Sequence, residues 1–280
     1  MGLISVTADT ECVAFLQWAL PRMGRRWEGY RKVRRRVCKK ISRRALELNL
    51  PSLSDYRRYL EEDLQEWRYL DALLDVTISR FYRDRSVFDF IAAEILPTLA
   101  RRAHMADHPS VRVWSTGCAN GEEPYTIALM WEFSTSLDNS EAELHILATD
   151  IKATVLRRAE DALYPRSSLK DLPARWQEAA FSESGDVVAL APRFRQHVTF
   201  AQHDIRENLP DGGSLFDLIM CRYQAFTYFD EAGQRNVLDS LTQATRPGSV
   251  LVLGRRETLP SGAGSFRPLE QSLGVFKRCD

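Results

Sequence analysis

Residues 115–125 read Ser-Thr-Gly-Cys-Ala-Asn-Gly-Glu-Glu-Pro-Tyr, a glycine-rich turn opening into a helix. Such turns ordinarily cradle phosphate, because unpaired N–H groups and the helix dipole attract anions. Here Glu122 and Glu123 follow the last glycine, and their charge would repel a phosphate. The stretch matches neither G-x-G-x-x-G nor the phosphate-binding G-x-x-x-x-G-K-[ST], since Glu122 stands where the lysine would be. Asp150 ends the next apolar run, at a position from which an acidic residue accepts hydrogen bonds from a ribose diol. A nucleoside without phosphates that carries positive charge satisfies both features, and S-adenosylmethionine is such a molecule. A blander reading stays open beside it. A Gly-x-x-x-Gly turn also serves tight packing, and a glutamate at a helix start is favourable for the dipole in any protein.

The elements that must hold these residues follow from the pattern after residue 110. VRVW, ELHILATD, HVTFAQHDI, FDLIMC and SVLVLG read as strands, and helical segments separate most of them. Strands alternating with helices predict an α/β fold whose mostly parallel sheet is covered on both faces. Ligands of such sheets bind at the carboxyl ends of the strands, where the glycine turn lies. Residues 164–200 interrupt the alternation with three prolines and a short VVAL run, and read as a small inserted β subdomain.

Residues 1–78 have a different texture and predict a small all-helical N-terminal domain, with residues 79–280 forming the α/β domain. Val33, Val37 and Ile41 recur every four residues and predict a helix with one apolar stripe. Pro51 and Ser52 mark another helix start, with Ser54 as a candidate cap and Tyr56, Leu60, Leu64, Trp67, Leu70 and Leu74 at helical spacing. The chain has 280 residues and a formal net charge of zero, so whole-protein charge points to neither nucleic acid nor membrane. The neutral total hides a run of cations from Arg22 to Arg44, opposed there by Glu28 alone. A basic helix over 31–44 reads as a docking face for an acidic partner, with a solvated helix face as the plainer account. No aromatic stacking platform accompanies it, so nucleic acid is not expected. The five cysteines are scattered and include no C-x-x-C pair, which argues against a disulfide scaffold or a zinc site. No metal is expected. No apolar run approaches a membrane span, and MGLISV has neither a basic n-region nor a cleavage site. A soluble, cytoplasmic protein is expected.

VTISRFYRD (76–84), VRVWSTGCANGEEPYTIAL (111–129), ILATDI (146–151), VTFAQHDI (198–205) and FDLIMCR (216–222) together resemble the chemotaxis-receptor methyltransferases, the CheR-type protein-glutamate O-methyltransferases. The resemblance spans nearly the whole chain. It implies a Rossmann-like S-adenosylmethionine methyltransferase domain and a monomer. It implies transfer of the methyl group to glutamate carboxylates of a chemoreceptor-like protein that presents an acidic helical surface. It further implies that Thr77, Ser79 and Arg83 reach over the cofactor, Glu123 meets its methionine end, and Asp150 its ribose. Asp204 and Ile205 would meet the adenine region, and Cys221 and Arg222 would line the same pocket. Glu122 is then left to cap or solvate the helix start. Arg83 and Tyr228 are the expected catalytic pair, both acting on the acceptor. The chain departs from the family at Tyr223, where Asn is common, and at Asp204, where familiar members have Asn. Tyr223 leaves two further activities open: a methyltransferase redirected to another acceptor, or a catalytically weak cofactor-binding regulator.

Overall fold

A computed structural model describes residues 6–105, 109–133, 142–207, 209–210 and 213–279. The chain divides into two units, Met1–Thr77 with Thr227–Gly233, and Ile78–Phe226 with Gln234–Asp280.

The first unit contains α1 (Val6–Arg22), α2 (Trp27–Tyr30), α3 (Arg34–Glu47), α4 (Leu53–Glu62) and α5 (Glu66–Leu74). On α3, Val37, Cys38, Ile41 and Ala45 recur at helical spacing and are buried. They pack with Phe15, Leu16 and Leu20 of α1, Tyr56 and Leu60 of α4, and Leu70 and Leu74 of α5. Several cations of the basic run turn inward. Arg25 donates to Asp71 Oδ1 at 2.8 Å and to the Tyr30 hydroxyl at 2.8 Å. Arg44 grips Glu66 through Nε at 2.9 Å and Nη2 at 2.8 Å, and the Tyr56 hydroxyl donates to the same carboxylate. Lys40 donates to the Leu73 and Asp75 carbonyls at the end of α5. Arg35, Arg36, Lys39 and Arg43 are exposed and follow one another at spacings that keep them on one side of α3. The 227–233 segment joins this unit through its backbone. Arg26 N–H donates to Tyr228 O at 2.9 Å, and Asp230 N–H to Gly24 O at 2.8 Å. A Cβ on Gly29 would lie 2.2 Å from Thr227 O, so the approach needs glycine there.

Three expectations are corrected in this unit. Cys12 on α1 and Cys38 on α3 form a disulfide, which their scattered spacing argues against. Both sit on the buried faces of helices that pack together, so the pairing is tertiary and leaves no local motif. Ser52, not Ser54, caps α4, its Oγ accepting from Asp55 N–H at 3.1 Å. Leu64 is 77 % exposed, because the chain breaks between α4 and α5 and the apolar spacing is not carried through one helix.

The second unit holds β1 (Ser110–Thr116), β2 (Glu143–Asp150), β3 (Leu163–Tyr164), β4 (Phe181–Ser184), β5 (Val187–Leu190), β6 (Val198–Gln202), β7 (Phe216–Cys221), β8 (Thr245–Leu253), β9 (Phe266–Glu270) and β10 (Val275–Arg278). Its main sheet has the order β6-β2-β1-β7-β8-β10-β9. The five strands from β6 to β8 run parallel, and β10 and β9 add an antiparallel edge. The central strand β7 is buried along its whole length, as a strand covered on both faces must be. The fold is thus the Rossmann-like α/β sandwich expected. A second sheet, β3-β5-β4, forms the insertion and spans 163–190. The main sheet resumes at Val198, so the end of the interval expected for the insertion belongs to β6.

The remaining α-helices are α6 (Arg85–Phe90), α7 (Leu96–His104), α8 (Glu122–Phe133), α9 (Ala153–Asp161), α10 (Ala174–Ala180), α11 (Pro192–Arg195), α12 (Ala225–Tyr228) and α13 (Glu231–Gln243), with a π-helical turn, Ile91–Ile95, joining α6 to α7. From β1 the chain proceeds to β2 on one side, while β7 flanks β1 on the other. The loops that leave β1 and β7 therefore face each other at the switch point of the sheet, where ligands of this fold class bind.

Candidate cofactor site at the switch point

The turn after β1 is built from left-handed residues: Gly117 at φ +66°, Ala119 at +54° and Gly121 at +88°. Its anchors lie on β2. Cys118 N–H donates to Thr149 O at 2.9 Å, and Ala119 N–H to Asp150 Oδ2 at 3.0 Å. Asp150 Oδ1 also accepts from Lys152 N–H at 3.0 Å, so this carboxylate orders the turn at the same time as it faces the strand ends. The two glycines do different things. A Cβ on Gly121 would crowd Ala159, Tyr125 and Tyr164, so this glycine serves packing. A Cβ on Gly117 would lie 2.8 Å from the side chain of Gln224, whose Oε1 accepts from the Thr116 hydroxyl.

The two glutamates diverge sharply. Glu123 is paired on both oxygens, accepting from Ser115 Oγ at 2.8 Å and from Arg222 Nη1 at 3.0 Å. Glu122 neither stands in solvent nor makes such pairs. It is 3 % exposed, and its Oε2 has no hydrogen-bond partner. Burial pushes its carboxyl above the usual range, opposed by hydrogen bonds from its own N–H, from Ser79 and from Asn120.

Arg222, 4 % exposed at its side chain, is the hub between the two loops. Besides Glu123 it donates Nη2 to Asp84 Oδ2 at 2.5 Å and to Arg83 O at 3.0 Å. Arg83 lies with its Cζ 4.3 Å from the Tyr223 ring centroid and donates Nη1 to Ile78 O at 2.6 Å. Asp204 is gripped by Arg206, whose Nη2 donates to Oδ2 at 2.7 Å. Burial opposes ionisation there, but the Arg206 hydrogen bonds and charge outweigh it and hold the carboxyl below its usual range. Ile205 is buried beside it. Cys221 is fully buried at the end of β7, and burial pushes its thiol up, so it stays neutral.

Of the residues read from sequence, the second unit brings Arg83, Glu123 and Arg222 into one linked cluster, with Ser79 on Glu122 and Asp150 tied to the adjoining turn. Asp204 and Ile205 follow the end of β6, and Cys221 ends β7. Thr77 and Tyr228 belong to the first unit. There Thr77 O accepts from Arg36, and the Tyr228 ring packs on Tyr30 at 4.9 Å between centroids. Sequence reasoning passes over Asn120, Asp84, Tyr223 as a structural partner, and Glu257. Asp84 carries a signal, since it closes the VTISRFYRD segment. Asn120 likewise lies within the glycine turn, whereas Glu257 carries none.

The donor set fits S-adenosylmethionine. Two buried acceptors, Glu122 Oε2 and Asn120 Oδ1, lack donors, and one buried donor, Arg222 Nε, lacks an acceptor. Orphaned buried groups are costly, and a zwitterionic amino acid carries ammonium donors and a carboxylate acceptor of the kinds these three atoms lack. Glu122, Glu123, Asp84 and Asp150 outnumber Arg83 and Arg222, which suits a cation and repels a phosphate. Among the described residues, no group of three metal-ligating side chains gathers here or elsewhere, and no helix is long and apolar enough to cross a membrane.

Comparison with known proteins agrees with the geometry. The chain is 28% identical over 280 residues to chemotaxis protein methyltransferase 2 of Vibrio cholerae, covering 97% of this chain and 94% of that one. It is 29% identical to the chemotaxis protein methyltransferase of Listeria monocytogenes, covering 74% and 75% of the two chains. It is 28% identical to that of Salmonella typhimurium, covering 86% and 82%. Residues 77–275 match the SAM-binding domain of CheR methyltransferases, and the chain belongs to that family of S-adenosylmethionine-dependent methyltransferases.

Proposed function

We propose that this methyltransferase esterifies glutamate side chains of a chemoreceptor-like protein, giving glutamate methyl esters and S-adenosylhomocysteine. The observation that supports this reading most is the Arg83 guanidinium. It lies in the switch-point cluster on a tyrosine ring, gives one N–H to Ile78 O, and has further donors in the fixed fork that matches a carboxylate. The names of the relatives point to the same pathway class.

S-adenosylmethionine, when bound, supplies an electrophilic methyl group on a sulfonium centre. Glu122, Asn120, Glu123 and Arg222 would hold its amino-acid end, and Asp150 its ribose. The acceptor needs no general base, since an unperturbed glutamate side chain, with a pKa of about 4.3, is ionised at neutral pH. The chain's task is to strip water from that carboxylate and hold it in line, and orientation of this kind is worth up to roughly 7–11 kcal/mol. Arg83 does the orienting. Its Ile78 bond and its tyrosine platform restrain it, so it aligns the carboxylate without sequestering it in the ground state. The exposed cations of α3 suit an acidic helical partner, raising the association rate by long-range attraction.

The test is methyl transfer from tritiated S-adenosylmethionine to receptor cytoplasmic fragments. Label released as methanol by mild base identifies a carboxyl ester. Base-stable label refutes the ester and assigns another acceptor, and cofactor binding without transfer assigns a regulator.

A further inference from the structure

Tyr223 stands in a backbone conformation that disfavours it. Its φ is +57°, in the left-handed region that a bulky side chain adopts only under constraint. The constraint is visible on each side. Its N–H donates to Glu257 Oε2 at 2.8 Å, and Gly254 N–H donates to the same oxygen at 2.6 Å. Its ring fills the space beside Gly254, where a Cβ would lie 2.4 Å from Cε1. The ring is thus aimed, and it is aimed at the turn that carries Arg83. The Tyr223 hydroxyl donates to Asp84 Oδ2 at 2.7 Å, and the ring face lies under the Arg83 guanidinium. That turn is strained as well, with Tyr82 at φ +56° and Asp84 at +63°. Asp84 also takes Arg222, which takes Glu123, which takes Ser115, so one chain of hydrogen bonds runs from Tyr223 to the end of β1.

We propose that Tyr223 is a positioning residue for Arg83 and for the 82–84 turn. Its ring is the platform that fixes the guanidinium, and its hydroxyl fixes the carboxylate of Asp84 and so holds the left-handed turn in place. The functional half of this inference rests on the reading that Arg83 orients the acceptor carboxylate. The structural half does not. A ring serving only to fill space would need neither the carboxylate partner nor the overlying cation. Burial raises the phenol's pKa, so the hydroxyl remains a donor across the neutral range.

The two contacts separate by substitution. Tyr223→Phe keeps the platform and removes the hydroxyl, whereas Tyr223→Leu removes both. In the chain without ligands, deuterium uptake of the peptide covering residues 78–90 rises in both variants, by at least threefold in rate for Leu. In the methylation assay, kcat/KM for the acceptor falls about tenfold in Tyr223→Leu and less than threefold in Tyr223→Phe, as loss or retention of a cation–π contact predicts. Affinity for S-adenosylhomocysteine changes less than threefold in both. In an Arg83→Ala background the Leu substitution costs no more than the Phe substitution, because only the hydroxyl contact is left to lose. Unchanged uptake over 78–90 in both variants overturns the inference, whatever the acceptor proves to be. Additive effects of the Arg83 and Tyr223 substitutions overturn the platform. If the wild-type chain esterifies no glutamate, the proposed function fails while the exchange measurement still decides the role of Tyr223.

Discussion

Replacing Glu122 by Gln should stabilise the free protein and weaken its hold on the cofactor. The carboxylate is 3 % exposed and one oxygen has no donor. A buried unsatisfied group costs about 1–3 kcal/mol, and more when charged. Glutamine keeps the shape and removes the charge, so the free protein should gain about 1–2 kcal/mol, or roughly 2–4 °C per kcal/mol in melting temperature. The pH dependence has a definite sign. The folded carboxyl titrates above its unfolded value, so between the two the folded chain binds more protons. Wild-type stability therefore falls as pH rises through that window, and the variant lacks this slope. Binding moves the opposite way. A charge-assisted hydrogen bond contributes about 1.5–3 kcal/mol, so the dissociation constant for S-adenosylmethionine should rise by about 10- to 150-fold. Titration calorimetry with S-adenosylmethionine and S-adenosylhomocysteine, beside thermal melts of the free variant, reads both effects. Glu123→Gln is the control. Both Glu123 oxygens are already paired, so its loss should lower free stability. The reasoning is refuted if Glu122→Gln binds within threefold of wild type, or if it melts below wild type as Glu123→Gln should.

Gly117→Ala places a side chain at φ +66° and against Gln224, so it should cost about 1–2 kcal/mol and at least tenfold in cofactor affinity, read by denaturant melts and calorimetry. The Cys12–Cys38 bond closes a loop with a sequence separation of 26, and its removal by a double Ser substitution should lower stability by about 3.5 kcal/mol, with reductant reproducing the loss in wild type alone. Reversing Arg35 and Lys39 to Glu should slow association with an acidic acceptor and flatten its salt dependence without shifting the melt. Reversing Arg44 should instead destabilise the helical unit, because its bidentate partner Glu66 is buried.

The parts legible in the sequence are those written in local periodicity. The strands, the glycine turn and Asp150 each follow from residues within a few positions of one another. What stays hidden depends on partners brought together by folding. Glu122 and Glu123 are adjacent and chemically alike, yet successive helix positions point about 100° apart, so one turns to Arg222 and the other inward. Gly117 and Gly121 look interchangeable, but only the structure shows that Gly121 packs against Ala159 while Gly117 admits Gln224. Cys12 and Cys38 lie on separate helices, and no spacing rule announces their contact. Tyr228 is a site residue only through the family resemblance, and its tertiary partners are not legible in the sequence. From Thr227 to Gly233 the chain belongs to the helical unit, where backbone bonds with Arg26 and Gly24 hold the segment.

On the proposed function, a site for a cationic cofactor presents a difficulty to a carboxylate acceptor, since the same carboxylates that attract the first repel the second. The hydrogen-bond chain resolves it by dividing the charges. Glu123 and Asp84 both lean on Arg222, so neither acts as an isolated anion toward an incoming group. Asp150 is tied to two backbone N–H groups, which disperse its charge into the turn. Of these four acids, Glu122 carries the unmatched buried oxygen, and its raised pKa marks it as the acid whose charge is costly until a cation arrives. Arg83 is left with most of its fork unclaimed by these acids: it gives Nη1 to a carbonyl and its face to an aromatic ring. Had Arg83 paired with Asp84 instead, the proposed function would lack the cation it assigns to the acceptor. Tyr223 occupies Asp84 with a neutral hydroxyl and Arg83 with a neutral ring, which keeps those two opposite charges from neutralising each other.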